Sequence, residues 1–413
     1  WSGNTAMGTL RSAWKEAAWV FGLSRLLLLL ITYVGGVLLR PKNMASIPCA
    51  NSELRFCLLG WYHWDADAFG RIAHVGYRSV ADVAFFPFWP WLIRLGAAAL
   101  GNHFPLSFLL SELLLSNLFF FVSLILLYVL VRDGLDFDPA QARKTLWYLT
   151  FYAYAIFFFA GYSESLFLLL TLAIFLLLQG RALWRWWLAG LLGCVAALTR
   201  STAIVLLVPF LFFYVEHFWH ARPLSADAGE TTGPQSWRLW LRRVLAALPA
   251  LFIPAALAAY MVYLGVRFGD PFIYSRMERT VWGRQFELPW VAFGPALGAL
   301  LTGPLHTEMA VRNLMDLLFT LLPLGVLVAG WRQLPMVYRF FALGLVLFAL
   351  CFPLNGGETL ASQPRYMMMA FPLFLVLARW SKRFPSLDLV YGGFCAPLLA
   401  LNALLFTLHY WVA

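Results

Sequence analysis

Charge is what this sequence has least of. Asp, Glu, Lys and Arg together supply 12% of its 413 residues, whereas a water-soluble surface ordinarily carries about 25%. Apolar residues supply 62%. That balance excludes soluble enzymes, nucleic-acid-binding proteins and secreted disulfide scaffolds. The period-2 alternation of an outer-membrane barrel is also missing. The apolar residues instead run in blocks of roughly 17 to 25, long enough to cross a hydrocarbon core of about 30 Å as helices. No internal repeat is seen, and with it the duplicated halves of many transporters are missing. Nor does a short cleavable leader precede the first block, 17–39, which is long enough to stay in the membrane as an anchor. The expected architecture is an all-α polytopic membrane protein, a single bundle over residues 1–413.

Cysteine is scarce too, at five residues. Cys194, Cys351 and Cys395 fall inside apolar blocks and read as small packing residues. Cys49 and Cys57 share the first long polar loop, 40–82, and can pair if that loop faces an oxidising compartment. The net charge of +10 would suggest nucleic acid in a soluble chain. Here most Lys and Arg lie in short loops between apolar blocks, where they set orientation.

About eleven blocks can insert, at 17–39, 107–131, 144–160, 163–179, 186–199, 203–217, 244–266, 311–330, 338–354, 366–380 and 389–411. Placing the basic loops inside, among them a cytoplasmic linker at 218–243, satisfies the alternation of crossings. The 84–105 segment is interrupted by Pro87, Pro90 and Arg94, and in this solution it lies in the interface or re-enters. Four polar clusters then share the non-cytoplasmic face, away from ATP and nucleotide sugars.

The first cluster sits in the 40–82 loop, where Trp61, Trp64, Ala68, Ile72 and Val75 draw one apolar stripe on a short interfacial helix. If that helix begins at Asp65, its carboxylate meets the free N–H groups and stays ionised, either as a base or as a helix cap. Asp67 then points about 160° away, because successive residues turn about 100°. His63, Asp65, Asp67 and His74 are metal-ligand types that would suit Mg or Mn rather than zinc, provided two share a face. The second cluster is Tyr162-Ser163-Glu164-Ser165, a helix cap or part of a site. The third is Thr199-Arg200-Ser201-Thr202, and the fourth is Gln363-Pro364-Arg365-Tyr366. Their arginines are either snorkelling anchors or anion-binding groups. Together, acids and arginines on one face beside lipid suit a reaction in which a lipid-linked phosphate departs and an incoming hydroxyl loses its proton.

Trp64-Asp65-Ala66-Asp67-Ala68-Phe69, Ile72-Ala73-His74-Val75-Gly76-Tyr77 and Ala84-Phe85-Phe86-Pro87-Phe88-Trp89-Pro90 resemble the signature blocks of the PIG-V family, the enzymes that add the second mannose in GPI-anchor synthesis, with their bacterial relatives. Tyr162-Ser163-Glu164-Ser165-Leu166-Phe167 and Leu198-Thr199-Arg200-Ser201-Thr202 follow in the family's order, and Pro364-Arg365-Tyr366 is a weaker echo of a block in bacterial members. The resemblance extends over about residues 20–215. It implies a GT-C glycosyltransferase bundle of about 11–12 transmembrane helices whose first outer loop carries the catalytic acid. It also implies a polyprenyl-phosphate-linked mannose donor and inversion at the anomeric carbon. By position, Asp65 is implied as general base, with Asp67 as the second catalytic carboxylate. Arg200, Arg365, Glu164, Tyr162, Trp64, His63 and Tyr366 are implied as donor-phosphate or substrate contacts.

The expectation is therefore a mannosyltransferase-like enzyme acting on a glycolipid or other extracytoplasmic acceptor. No cofactor is expected beyond a possible divalent cation, and no nucleic acid. The compact chain and short outer loops point to a bacterial plasma membrane rather than the endoplasmic reticulum. A different polyprenyl-phosphate sugar is the alternative within the class. From another class, a polytopic lipid or solute transporter would carry charges midway through its helices. The residues leave the acceptor and any accessory subunit open.

Overall fold

The structure, a computed structural model, describes residues 3–39, 59–219 and 235–412. Cys49 and Cys57, and most of the linker at 218–243, lie outside the described residues. Among those described the chain is helical, with one isolated antiparallel bridge between Arg284 and Leu354. The helices used below are α1 (Gly3–Leu38), α2 (Asp65–Val75), α3 (Phe88–Ala99), α4 (Leu106–Val129), α5 (Pro139–Thr150), α6 (Glu164–Leu178), α7 (Leu183–Ala197), α8 (Leu207–Tyr214) and α9 (Gln235–Ala247). They continue as α10 (Phe252–Phe268), α11 (Ile273–Thr280), α12 (Phe293–Thr302), α13 (Glu308–Ala329), α14 (Met336–Leu350), α15 (Gln363–Met369), α16 (Pro372–Arg383) and α17 (Ser386–Thr407).

Six stretches are long and apolar enough to cross a membrane: Met7–Leu38, Leu106–Gly134, Ser201–Trp219, Trp237–Phe268, Glu308–Ala329 and Ser386–Thr407. Shorter apolar helices stand beside them at Glu164–Leu178, Leu183–Ala197, Phe293–Thr302 and Met336–Leu350. The chain is an integral membrane protein. Four of the expected spans carry 3-10 turns or breaks: 203–217 and 244–266 pass through 3-10 turns at Ser201–Leu206 and Leu248–Leu251, and two more are broken. The 144–160 block stops at Thr150 and continues as a short 3-10 turn over Ala155–Phe158, and the 366–380 block is interrupted at Ala370 between α15 and α16. The physical reason lies in burial: residues 151–168 are buried throughout. Their apolarity is that of a protein core, which hydropathy cannot tell from a lipid-facing surface. Of the stretch expected as a linker, residues 235–243 fall within α9, where Trp237 and Trp240 are exposed. The 84–105 segment forms α3, whose 12 residues reach only about 18 Å and are too short to span.

Irregular backbone at this depth survives only if its polar groups are met by protein. The carbonyl of Phe158 takes Arg25 Nη2 at 2.9 Å, and Arg25 Nε donates to Asn117 Oδ1 at 2.7 Å. Asn117 Nδ2 reaches the Phe159 carbonyl at 3.1 Å, and Trp89 Nε1 reaches that of Gly161 at 3.0 Å. Arg25, Asn117 and Trp89 thus hold open the non-helical turn that delivers Glu164. Two charges also stand inside helices, Glu112 within α4 and Asp316 within α13, and both are buried.

The turn also explains a glycine. A Cβ on Gly161 would stand 2.6 Å from the Cβ of Glu112, closer than packed carbons tolerate. Gly161→Ala is expected to destabilise the fold by about 1–3 kcal/mol through overpacking, read as a lower melting temperature in detergent. Unchanged melting would show that α4 gives way freely.

Candidate functional site

Asp65 is the first residue of α2, and the residue before it, Trp64, takes a positive φ of 56°. This left-handed step turns the chain so that the helix starts with its carboxylate aimed inward rather than capping its own amides. Trp64 itself is exposed and packs edge-on to Trp411 at 4.9 Å.

The inward target is Arg365, from α15, whose Nη2 lies 3.0 Å from Asp65 Oδ2. The same nitrogen lies 2.7 Å from Glu164 Oε1, and Nε of the same guanidinium lies 3.2 Å from that oxygen. Arg200 completes the chain, with Nη1 2.6 Å from Glu164 Oε1 and 3.2 Å from Ser163 Oγ. Four groups from remote segments therefore alternate in sign: Asp65, Arg365, Glu164, Arg200. Glu164 is 0% exposed and Arg365 is 7% exposed. Aromatic faces pack on the cations, with the Arg365 guanidinium carbon 4.6 Å from the Phe157 ring and 4.8 Å from that of Tyr162. Arg200 stands 5.7 Å from the Tyr366 ring, within the range where a cation gains from the ring quadrupole.

These arrangements decide between the two readings of each cluster. Ser163 caps α6 by position, yet its hydroxyl serves Arg200 and no cap hydrogen bond forms. Arg200 and Arg365 are not snorkelling anchors, because both turn inward to a buried acid.

A cleft of about 720 Å³ opens over the chain of charges and is lined by Asp65, Arg200, Arg365, Tyr366 and Trp64 among others. Glu164 and Tyr162 lie behind the arginines, outside its lining. Asp67 is exposed and absent from the lining, as the helical geometry requires of a residue two positions after Asp65. His63 is also outside the lining, its ring 3.6 Å from that of His409, and His74 stacks on Phe104 at 4.7 Å. The four metal-ligand types thus do not converge. Among the described residues no three His, Cys, Asp or Glu side chains stand where they would hold a metal.

The histidine pair carries a pH dependence. Burial, with His409 beside it, lowers the His63 imidazole to about 3. The folded value lies below the unfolded one, so His63 contributes stability above about pH 6.5 and loses it as pH falls below that. Melting temperature is expected to drop between about pH 6.5 and 5, and His63→Phe is expected to flatten the drop. An equal drop in the variant would place the cause elsewhere.

One wall of the cleft was not singled out from the sequence. Tyr274, Glu278, Trp282 and Arg284 line it, and only the polar character of 267–310 hinted at it. The apolar stripe also shifts, since Trp61 and Trp64 precede α2 and its buried side is Ala66, Ala68, Phe69, Ile72 and Ala73.

Known proteins are similar to part of this chain. The GPI alpha-1,6-mannosyltransferase 2 of Rattus norvegicus is 33% identical over 174 residues, 40% of this chain and 34% of that protein. The Homo sapiens protein of the same name is 35% identical over 171 residues, with the same coverage. The matched stretch is thus about a third of the length of these relatives. Among solved structures, the Archaeoglobus fulgidus oligosaccharyltransferase in complex with Zn and sulfate aligns over 94% of this chain and 53% of its own, at 12% identity and a TM-score of 0.41. A likeness that distant carries nothing about chemistry. Residues 20–224 match the profile of the family described as Mannosyltransferase (PIG-V), and it is this family that the chain resembles over that stretch.

Proposed function

We propose that this chain is an inverting glycosyltransferase that moves mannose from a polyprenyl-phosphate donor to a glycolipid or other acceptor on the non-cytoplasmic face. The observation that carries the reading is the Asp65–Arg365–Glu164–Arg200 chain at the cleft. Glu164 neutralises part of the charge of two arginines and fixes both, leaving Arg200 and the Asp65-facing side of Arg365 toward the cleft. A donor phosphate competes with Asp65 for Arg365, so its arrival both anchors the leaving group and frees the base.

The step balances without a further reagent. The acceptor oxygen bonds to the anomeric carbon and its proton passes to Asp65. The bond from that carbon to the phosphate oxygen breaks, and its electron pair stays on the phosphate, facing Arg200 and Arg365. The family match over residues 20–224 and the cleft-facing acid support this reading. The basic loops support the assignment of the face.

The test is transfer of radiolabelled mannose from synthetic polyprenyl-phosphate mannose by the purified chain, with and without EDTA. Transfer insensitive to EDTA is the expected result. Loss with EDTA would require a metal in the step, and no turnover of the donor with any acceptor would overturn the reading. The buried carboxyls Glu112 and Asp316 favour a second reading, a transporter. Flux of the mannose lipid across liposomes without transfer would establish that reading instead.

A further inference from the structure

The wall formed by residues 274–285 takes no part in the chain of ion pairs, and it lies beyond the family-matched stretch. Tyr274 and Glu278 are one turn apart on α11 and share a face. Tyr274 is anchored, its hydroxyl 3.3 Å from Ser201 Oγ beside Arg200. Arg284 is anchored as well, donating from Nη1 to the Phe352 carbonyl at 2.9 Å and from Nη2 to the Ala361 carbonyl at 3.3 Å.

Between these fixed points stand two unused groups. Among the described residues the Glu278 carboxylate has no hydrogen bond or ion pair, although Arg284 and Asp65 both act on it through space. Burial raises its affinity for a proton, with Asp65 adding to the effect and Arg284 opposing it. Trp282, just past α11, sits edge-on to Phe85 at 6.4 Å, and its buried Nε1 has no acceptor. A buried donor left unmet is costly, so such groups call for a ligand.

The ligand chemistry follows from the pair. A carboxylate accepts from hydroxyls, an indole N–H donates to a hydroxyl oxygen, and the face of an aromatic ring packs on the C–H face of a sugar. A phosphate would be repelled by Glu278, and a lipid tail would satisfy neither group. We propose that Glu278 and Trp282 form a pyranose-binding subsite that selects the sugar by its hydroxyls. This rests on the sugar-transfer reading and adds the residues that discriminate between sugars. The pyranose arrives either on the donor or on the acceptor, and the two sources are separable.

The test measures equilibrium binding to the full chain in nanodiscs. The probes are polyprenyl-phosphate mannose, bare polyprenyl phosphate and octyl α-mannopyranoside. Glu278→Gln is expected to weaken one sugar probe about tenfold or more, as for a hydrogen bond to a charged group, and to leave bare polyprenyl phosphate unchanged. Trp282→Phe keeps a ring but removes the donor, and is expected to weaken the same probe several-fold. Loss on the mannose lipid assigns the donor sugar, and loss on the octyl mannoside assigns the acceptor sugar. Unchanged binding of both sugar probes in both variants overturns the subsite, as does an equal loss of the bare lipid phosphate. Melting temperatures verify folding, and Trp282→Phe decides alone if Glu278→Gln does not fold. Binding losses of this kind in a chain that transfers no sugar would refute the transfer reading and leave the subsite standing.

Discussion

Replacing Asp65 with Asn is expected to slow sugar transfer by about 10²- to 10⁴-fold, the range a positioned general base supplies, with little change in melting temperature. The substitution keeps the shape of the side chain and an oxygen able to accept from Arg365 Nη2. It removes the charge, and with it the capacity to take a proton. Stability should hold, because Arg365 keeps the shorter contact to Glu164, 2.7 Å against 3.0 Å to Asp65. Initial rates with polyprenyl-phosphate mannose, set beside thermal unfolding of the same preparation, check both halves of the expectation. A folded, fully active Asp65→Asn protein would remove Asp65 from the chemistry.

Glu164→Gln should show the opposite pattern, with folding affected first. Its carboxylate is 0% exposed and bonded to two guanidinium groups. Neutralising it leaves two poorly compensated cations inside the protein, and breaking a buried pair in this way costs about 3–5 kcal/mol. A melting transition well below that of the parent is the expected result. Combining Glu164→Gln with Arg200→Gln should recover part of the loss, since one of the stranded charges goes too. A double-mutant cycle measures that coupling. Additive losses would mean that Glu164 and Arg200 do not act as a pair.

Much of this site was legible before any coordinates. Arg200 and Arg365 stand where apolar blocks are interrupted, and Asp65 opens the amphipathic helix of the first outer loop; ionisable groups placed against a membrane mark function by default. The start of α2 at Asp65 also decided which acid faces the cleft, because a helix carries Asp67 to the other side. Other features were not legible, for identifiable reasons. Glu278 and Trp282 belong to no spaced motif, and only folding brings α11 to the cleft beside Ser201. The broken segments at 151–163 and at Ala370 read as spans because their apolar residues face protein rather than lipid. His63 looked like a ligand in isolation, and its neighbour His409 stands hundreds of residues away.

The ion-pair chain joins residues separated by 201 and 300 positions in the sequence. During synthesis Asp65, Glu164 and Arg200 enter the membrane long before Arg365 has been made. Until then Glu164 has one of its two cations, and Asp65 has none of the charges that fix its direction. The site therefore acts as its own proofreader: a chain truncated before α15, or one whose later helices dock wrongly, cannot assemble the alternating ion pairs at the cleft. The four-charge arrangement is complete only when the last helices of the bundle arrive.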